Sequence, residues 1–423
     1  MLQKLVITDL ANVIKDKRLL VRVDFNVPMK DGRITDETRI RSSLKTINYL
    51  KERGAKSIAL MSHFGRPNGK ANLKYSLKPI VPALSRLLGE QVTFLKDCIG
   101  PQVRDKISNS SDGQIFLLEN LRFHSEEEGS RKEKGKKIKD SKDKIAKFRK
   151  ELTQNGDIYI NDAFGTSHRA HSSITGINVN LRAAGFLLKK ELTFFSKVVE
   201  NPQRPYLVIL GGAKVQDKIQ LIKNMVNRVD KMIITGGMAF TFLKEHFGMQ
   251  IGSSLFDKKG AKYVKEIMDY ASDKGVKLEF PVDFRVCKQF KDGQKMIPAT
   301  LEDGIPNGYL GLDVGPRTIE KFRKIISQSK TIFLNGSNGV FEFKSTRPGS
   351  IALVNQVVEA TKNGAISVCG GGDTVSLVNL VPGASKEISH ISTGGGASIE
   401  LMEGHKLPGI EYLSNKDDVS HLL

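Results

Sequence analysis

Apolar runs of strand length recur along this chain in two successive series, and several lack any polar alternation. The first series is LLVRVDFNV (19–27), SIALMSH (57–63), QIFLLEN (114–120) and DIYINDA (157–163). The second is YLVILGG (206–212), KMIITGG (231–237), KLEFPVDF (277–284), TIFLNGS (331–337), AISVCGGGD (365–373) and ISHISTGGG (388–396). A run that is apolar at nearly every position must be covered on both faces, as in a parallel sheet between two layers of helices. Between the runs the apolar period lengthens to three or four. Ile40, Leu44, Ile47 and Leu50 follow Thr38, and Ile219, Ile222, Val226 and Val229 follow Lys218. Strand–helix alternation in two blocks predicts two doubly wound α/β domains with parallel sheets. A chain of 423 residues also exceeds what one core usually organises. The blocks divide at 185–205, where GFLLKKELTFFSKVVENPQRP reads as a stiff helix ending before Asn201-Pro202. No repeat of solenoid period is present.

Composition narrows the partners. The chain is 39% hydrophobic and 26% charged, an ordinary globular balance. No stretch approaches the roughly 18 apolar residues of a membrane span, so no membrane partner is expected. The N-terminus MLQKLVITDLANVIKDKRLL carries charge throughout and lacks an apolar targeting core. Cys98, Cys287 and Cys369 are far apart with no CxxC, which suggests neither disulfides nor a zinc site and fits a cytoplasmic protein. The net charge of +20 is the exceptional number. Nucleic acid could explain it, or a small anionic substrate with surplus charge on solvated faces. Much of the excess is local, since residues 131–150 hold eleven Lys/Arg against three Asp/Glu. That segment reads as a mobile, solvated loop running into a helix near Ile145–Leu152, rather than as a nucleic-acid arm. No basic stripe with interleaved aromatics is present, so a nucleic-acid partner is not expected.

Ligands of open α/β sheets bind beyond the carboxyl ends of the strands, and the two blocks differ sharply there. In the first these positions carry Asp24 and Asn26, His63 and Arg66 in SHFGRP, Arg122 in LENLRFH, and Arg169 in NDAFGTSHRAHSS, with Arg39 opening a helix. Guanidinium forks pair two-point with carboxylate or phosphate, so such a set suits a small polyanion. In the second block the same positions carry Gly211-Gly212, Gly236-Gly237, Gly336, Gly370-Gly371-Gly372 and Gly394-Gly395-Gly396. Glycines let backbone amides approach a ligand, and helix starts behind them present positive dipole ends. GGGDT at 370–374 suits a triphosphate, with Asp373 able to hold Mg²⁺ through oxygen. His168 and His171 lack metal-ligand spacing with any other residue, and His124 is given no role. In LVILGGAKVQDKIQLI, Lys214 and Lys218 stand four apart at an expected helix start without a Walker pattern.

The strings RVDFNVP (22–28), SHFGRP (62–67), LENLRFH (118–124), NDAFGTSHRAHSS (161–173), GGAKVQDKIQLI (211–222), GLDVGP (311–316), GVFEF (339–343), GGGDT (370–374) and STGGGASIELMEG (392–404) closely resemble the phosphoglycerate kinase family. The resemblance spans nearly the whole chain in order, and the 131–150 insertion is similar to that of eukaryotic members. It implies two Rossmann-like three-layer domains facing each other across a cleft: a phosphoglycerate-binding domain 1–185 onto which a tail 405–423 packs back, a linking helix 186–200, and a nucleotide-binding domain 201–404. It implies reversible phosphoryl transfer from 1,3-bisphosphoglycerate to ADP, giving 3-phosphoglycerate and ATP, with Mg²⁺, in a monomer. By this resemblance Asp24, Phe25, Asn26, Arg39, His63, Gly65, Arg66, Arg122 and Arg169 hold the phosphoglycerate. The nucleotide falls to Gly212, Ala213, Lys214, Lys218, Gly236, Gly237, Gly311, Leu312, Asn335, Gly336, Glu342, Gly371, Gly372, Asp373 and Thr374, with Asp373 at the metal. Two departures stand out. The usual Trp-Asn-Gly-Pro-x-Gly is here Leu334-Asn335-Gly336-Ser337-Asn338-Gly339, and Thr235 replaces the first glycine of a usual triple.

A carboxylic acid of pKa about 3.5 is already ionised at neutral pH, so a phosphoryl transfer to or from a carboxylate needs no general base. Catalysis then reduces to alignment and charge stabilisation. Arg39, Lys218 and the Gly371-Gly372 amides are the candidates, assisted by Lys214. The rival readings are a non-catalytic phosphate or nucleic-acid binder on the same scaffold, and a kinase of another small carboxylate.

Overall fold

The structure is a computed structural model that describes residues 3–423. The chain forms two compact units. The first runs to Thr193 and takes back Lys406–Leu423; the second is Phe194–His405. Their boundary falls within the Phe186–Val199 helix.

The sheet of the first unit contains β1 (Arg18–Arg22), β2 (Ser57–Met61), β3 (Val92–Leu95), β4 (Gln114–Leu118), β5 (Ile158–Asn161) and β6 (Leu181–Ala184). They lie in the order β6-β5-β1-β2-β4-β3, every pair parallel. The unbroken apolar runs are explained by two cores. Leu19, Val21, Ile58, Leu60, Ile115, Leu117, Ile158 and Ile160 enter one, while the residues between them, Leu20, Ala59, Met61, Phe116, Leu118 and Tyr159, enter the other. Successive side chains of a strand point to opposite faces, so each strand feeds both helical layers. The C-terminal tail belongs to this unit: Leu5 N–H donates to Ser414 O (2.8 Å) and Arg182 Nε to Tyr412 O (2.9 Å).

The sheet of the second unit contains β7 (Tyr206–Leu210), β8 (Lys231–Ile234), β9 (Lys277–Glu279), β10 (Thr331–Asn335), β11 (Ile366–Cys369) and β12 (His390–Ile391). The order is β9-β8-β7-β10-β11-β12, again parallel throughout. Chain direction across this sheet reverses between β7 and β10, and in the first unit between β1 and β5. Such reversal points open a crevice at the carboxyl ends of the strands.

The structure corrects three local expectations. The run KLEFPVDF is not one strand: β9 ends at Glu279, and Asp283–Cys287 joins an antiparallel sheet with Ile297–Thr300 and Leu310–Val314. Pro281, which has no N–H to donate, sits between the two pieces. The basic segment is not a loop but a hairpin of Ser130–Glu133 with Lys136–Lys139, followed by the Lys142–Thr153 helix. Lys134 (φ +46°) and Gly135 (φ +80°) make its two-residue turn, a left-handed pair that matches the twist of the strands. Finally, of the two lysines expected at the helix start after Gly211-Gly212, Lys218 stands there and Lys214 does not. The helix spans Ile219–Val226 with Lys218 as its cap residue (φ −120°), behind a 3-10 turn at Gln216–Lys218, and Lys214 lies before both.

Candidate functional site

In the first unit the expected anion-binding residues leave the carboxyl ends of β1, β2 and β4, follow β5, or open the Thr38–Glu52 helix. Asp24 organises the segment after β1. Its Oδ2 accepts from Arg39 Nη1 (3.0 Å), which also donates to Asn26 O (3.0 Å), and its Oδ1 accepts from Asn26 N–H (3.2 Å). Asn26 Oδ1 in turn accepts from Gly65 N–H (2.9 Å), and Phe25 N–H donates to Ser62 Oγ (2.9 Å) from a fully buried position. These bonds tie the loops after β1 and β2 together. They leave Arg39 Nη2 and Nε without a partner among the described residues. Arg122, in the turn after β4, is 8% exposed and donates to Gly65 O (3.0 Å) with Glu128 3.5 Å away. Burial lowers its pKa from the ordinary arginine value. Arg66 and Arg169 are exposed, and their side chains make no ion pair or hydrogen bond among the described residues.

Around the expected His63 lie Arg22, Glu127 and Ser173, to which the sequence assigned no role. Arg22, on β1, is fully buried. Its Nε donates to Ser173 Oγ (2.9 Å), its Nη1 bonds Val23 O, and its Nη2 lies 3.3 Å from His63 Nδ1. Glu127, 1% exposed, accepts from Ser173 N–H (2.9 Å) and Ser173 Oγ (2.6 Å). Burial raises its pKa, against the opposing pull of the Arg22 charge and the Ser173 bonds. His63 is 5% exposed, and burial together with Arg22, Arg122 and Arg39 holds its pKa well below the usual histidine value. His171 is pushed down to about 3 by burial and by Arg122, Arg22 and Arg169. Both imidazoles are therefore neutral at physiological pH, so the only cations of the cluster are guanidiniums. A signal for Arg22 existed in the sequence: a charge inside the run LLVRVDF has to be paired when the strand is buried on both faces.

Among the described residues His168 and His171 join no group with metal-ligand geometry. Among the described residues the group with metal-ligand geometry is Asp97, Cys98 and His124. There His124 Nε2 is bonded to Asp97 Oδ1 (2.7 Å), and burial pushes the Cys98 thiol far up.

In the second unit the loops after β7 and β10 cross at the reversal point, and glycine is what lets them pass. A Cβ on Gly211 would lie 2.2 Å from Ser337 O, and one on Gly336 (φ +120°) would lie 2.3 Å from Gly211 O. Gly236 (φ +67°) and Gly371 (φ +94°) precede the Gly237–Phe247 and Gly372–Asn379 helices with no side-chain cap. The amides of Gly372, Asp373 and Thr374 donate to no group among the described residues, so this helix start is an uncompensated positive end.

A cavity of about 690 Å³ opens beside these loops. Of the residues expected to hold nucleotide, Gly212, Ala213, Gly236, Gly237, Gly311, Leu312, Glu342 and Asp373 line it. Lys214, Lys218, Asn335, Gly336, Gly371, Gly372 and Thr374 do not. Asn335 and Thr374 fasten the loops: Asn335 Nδ2 donates to Gly370 O (2.6 Å), and Thr374 Oγ1 accepts from Gly336 N–H (2.8 Å). Lys218 lays its stem past Gly212, whose Cβ position is 3.6 Å from Lys218 Cε. Burial lowers its pKa to about 8, against the pull of Asp373, Glu403 and Asp217. The apolar wall formed by Phe240, Leu255, Pro281, Phe284 and Phe343 was not foreseen, because an apolar residue destined for a cavity reads in sequence like one destined for the core. Asp313 was also missed. It is 3% exposed, accepts from Gly349 N–H (2.8 Å), and burial raises its pKa to about 7.

A model of the phosphoglycerate kinase family matches residues 7–405. The chain is 55% identical to a phosphoglycerate kinase of Euplotes crassus and 54% identical to one of Plasmodium falciparum, each over 98% of this chain and 99% of the relative. Its structure resembles the phosphoglycerate kinase of Coxiella burnetii with a TM-score of 0.85 at 34% identity, covering 97% of this chain and 98% of that one. The chain belongs to the phosphoglycerate kinase family. Thr235, one of the departures from the family pattern noted above, bonds a residue of the segment that carries the other. Thr235 and Asn338, 0% and 4% exposed, share a hydrogen bond from Thr235 Oγ1 to Asn338 Oδ1 (3.0 Å), and Asn338 Nδ2 donates to Gly349 O (2.9 Å). Asn338, which occupies the variable position of that pattern, therefore accepts the bond of the buried hydroxyl that Thr235 introduces. Leu334, in place of the pattern's tryptophan, is fully buried in the core of this unit.

Proposed function

We propose that this chain transfers a phosphoryl group reversibly between 1,3-bisphosphoglycerate and ADP, the first unit binding the phosphoglycerate and the second the nucleotide. The reading is carried by one contrast within a member of this family. Free guanidinium edges at Arg39, Arg66 and Arg169 gather in one unit, and an uncapped helix start beside a glycine-lined cavity lies in the other. Arg39, Arg66, Arg122 and Arg169 hold the three-carbon acid through two-point pairs, with Asp24, Asn26 and Gly65 fixing the loops that carry them. The adenine side of the nucleotide packs on the apolar wall and the phosphates approach the loops after β7, β8 and β11.

The attacking or leaving carboxylate is already ionised, so the residues have only to align the reactants and neutralise charge on the transferring group. Arg39, Lys218 and the Gly371-Gly372 amides do this, and Lys214 assists at the nucleotide. Asp373 fits Mg²⁺: it lines the cavity, and its carboxylate makes no hydrogen bond or ion pair among the described residues, with the Lys218 charge its electrostatic neighbour. A single carboxylate together with substrate phosphates and water is how this ion is usually held. When bound, the ion would neutralise phosphate charge. Because the two ligand sets belong to different units, in-line transfer requires the units to close when both ligands are present, which also excludes water from the acyl phosphate. We further read the protein as a cytoplasmic monomer.

An assay that couples ATP formation from ADP and 1,3-bisphosphoglycerate tests the reaction, with ATP formation expected only when both are supplied. Absence of ATP formation would refute it. Small-angle scattering tests closure: the radius of gyration should fall with both ligands and not with either alone.

A further inference from the structure

The Ser130–Lys139 hairpin carries six Lys/Arg against one Glu. Its register separates two faces, because residues directly opposite in an antiparallel pair point the same way. On one face Arg131, opposite Ile138, reaches Asp140 (3.1 Å) and Glu133 (3.7 Å), and Glu133 faces Lys136 across the pair. That face is charge-compensated. On the other, Lys132 lies directly opposite Lys137, and Lys139 lies opposite Ser130. All three are exposed, and none has an ion pair among the described residues. Like charges facing each other across a ribbon destabilise it, so folding alone gives no reason for this arrangement. The ribbon is nonetheless held firmly. Asn68, in the left-handed region at φ +61°, donates from Nδ2 to Lys132 O (2.6 Å) and accepts at Oδ1 from Lys132 N–H (2.6 Å). Asn68 is two residues beyond Arg66, and the next amide, Gly69 N–H, donates to Arg122 O (3.1 Å). The lysine face is thus fastened to the loop that links two of the arginines assigned to phosphoglycerate.

We propose that Lys132, Lys137 and Lys139 form an electrostatic collector for the multiply charged phosphoglycerate substrates, speeding their capture without touching the reacting atoms. The proposal rests on the reaction assigned above. Field lines from such a patch reach about 30 Å at 0.01 M salt and about 8 Å at 0.15 M. Aromatic side chains are absent from the ribbon, which disfavours single-stranded nucleic acid as its occupant.

The test compares wild type with the Lys132→Gln/Lys137→Gln/Lys139→Gln variant, using 3-phosphoglycerate and ATP across ionic strength, with unfolding temperature as the folding check. In low salt, kcat/KM for 3-phosphoglycerate should fall about five- to tenfold, with kcat and the KM for ATP unchanged. The gap should close at high salt. A charge-reversed Lys132→Glu/Lys137→Glu variant should deepen the loss. Identical salt dependence in wild type and variants would overturn the proposal. So would loss of binding to a short RNA with unaltered kinetics, which would assign the ribbon to nucleic acid. Turnover of wild type at saturating substrates reports on the reaction itself, so failure of that reading is distinguishable from failure of the collector.

Discussion

The two units of this protein prepare for anions by opposite means. In the first, the binding groups are side chains, and each guanidinium is a permanent charge that the fold must tolerate when no ligand is present. Asp24 on Arg39 and the buried Glu127 near Arg22 supply that tolerance, and the neutral His63 and His171 add no further positive charge. In the second, the groups are backbone amides at helix starts. They carry only partial charge, need no counter-ion, and cost only the backbone strain that glycine relieves at Gly236, Gly336 and Gly371. A side-chain site offers geometry and charge to a small rigid acid; a backbone site lets a phosphate chain approach closely. Lys214 and Lys218 depart from this rule in the second unit, and Lys218 is the exception whose burial already works against its charge.

That exception carries the largest expected effect. Lys218→Ala should lower kcat on the order of 10²–10³, as removal of a charge donor from a preorganised site does, with little change in the dissociation constant for ADP. Near-normal kcat in steady-state assays would remove Lys218 from the charge-stabilising set.

The contrast between fork and amide is sharpened by Arg122→Lys, which keeps the charge and loses the fork that reaches Gly65 O. KM for 3-phosphoglycerate should rise about tenfold, since an arginine at a two-point site is not replaced by lysine, and KM for ATP should stay constant. Equal rises in both would mean that the units do not divide the ligands.

The pH dependence follows from Lys218, whose pKa in the folded protein is about 8 rather than the usual 10.5. Its ammonium is present below pH 8 and lost above it, so kcat/KM, which reports the free enzyme, should fall about tenfold between pH 7 and pH 9. Because Asp373 and Glu403 oppose the downward shift, Asp373→Asn should move the fall to lower pH. An unmoved profile would detach it from this lysine.

The smallest effect concerns the bond between Thr235 and Asn338. Thr235→Val leaves Asn338 Oδ1 without its donor and should raise KM for nucleotide a few-fold. Asn338→Val alone should do likewise, and the double variant should lose less than the sum, with coupling of about 1 kcal/mol. Strict additivity would show that the bond does not position the nucleotide loops.

Much of the architecture was legible because strands buried on both faces leave an unbroken apolar signature, as at SIALM and YLVIL. The edge strands β3 and β6 left no such mark, being short and covered unevenly. The arginines and glycines of the site were legible because they stand where strands end. Arg22 was visible but unread. Glu127, Ser173 and Asp313 are polar residues far apart in sequence, given meaning only by burial beside a charge or a cavity. The basic segment misled for a related reason, since its strands come from a left-handed turn at Lys134-Gly135 and the Asn68 clamp rather than from any apolar pattern.

By itself the sequence determined the layered parallel architecture and the segregation of guanidinium from glycine, since both follow from residue type and local period. Only the tertiary structure decided which groups remain free to meet a ligand. It engaged Asn335 and Thr374 in bonds between loops, placed Lys218 at a helix cap with a weakened hold on its proton, and joined Thr235 to Asn338. Partnership and desolvation are properties of neighbours in space, and 103 residues separate the last pair along the chain.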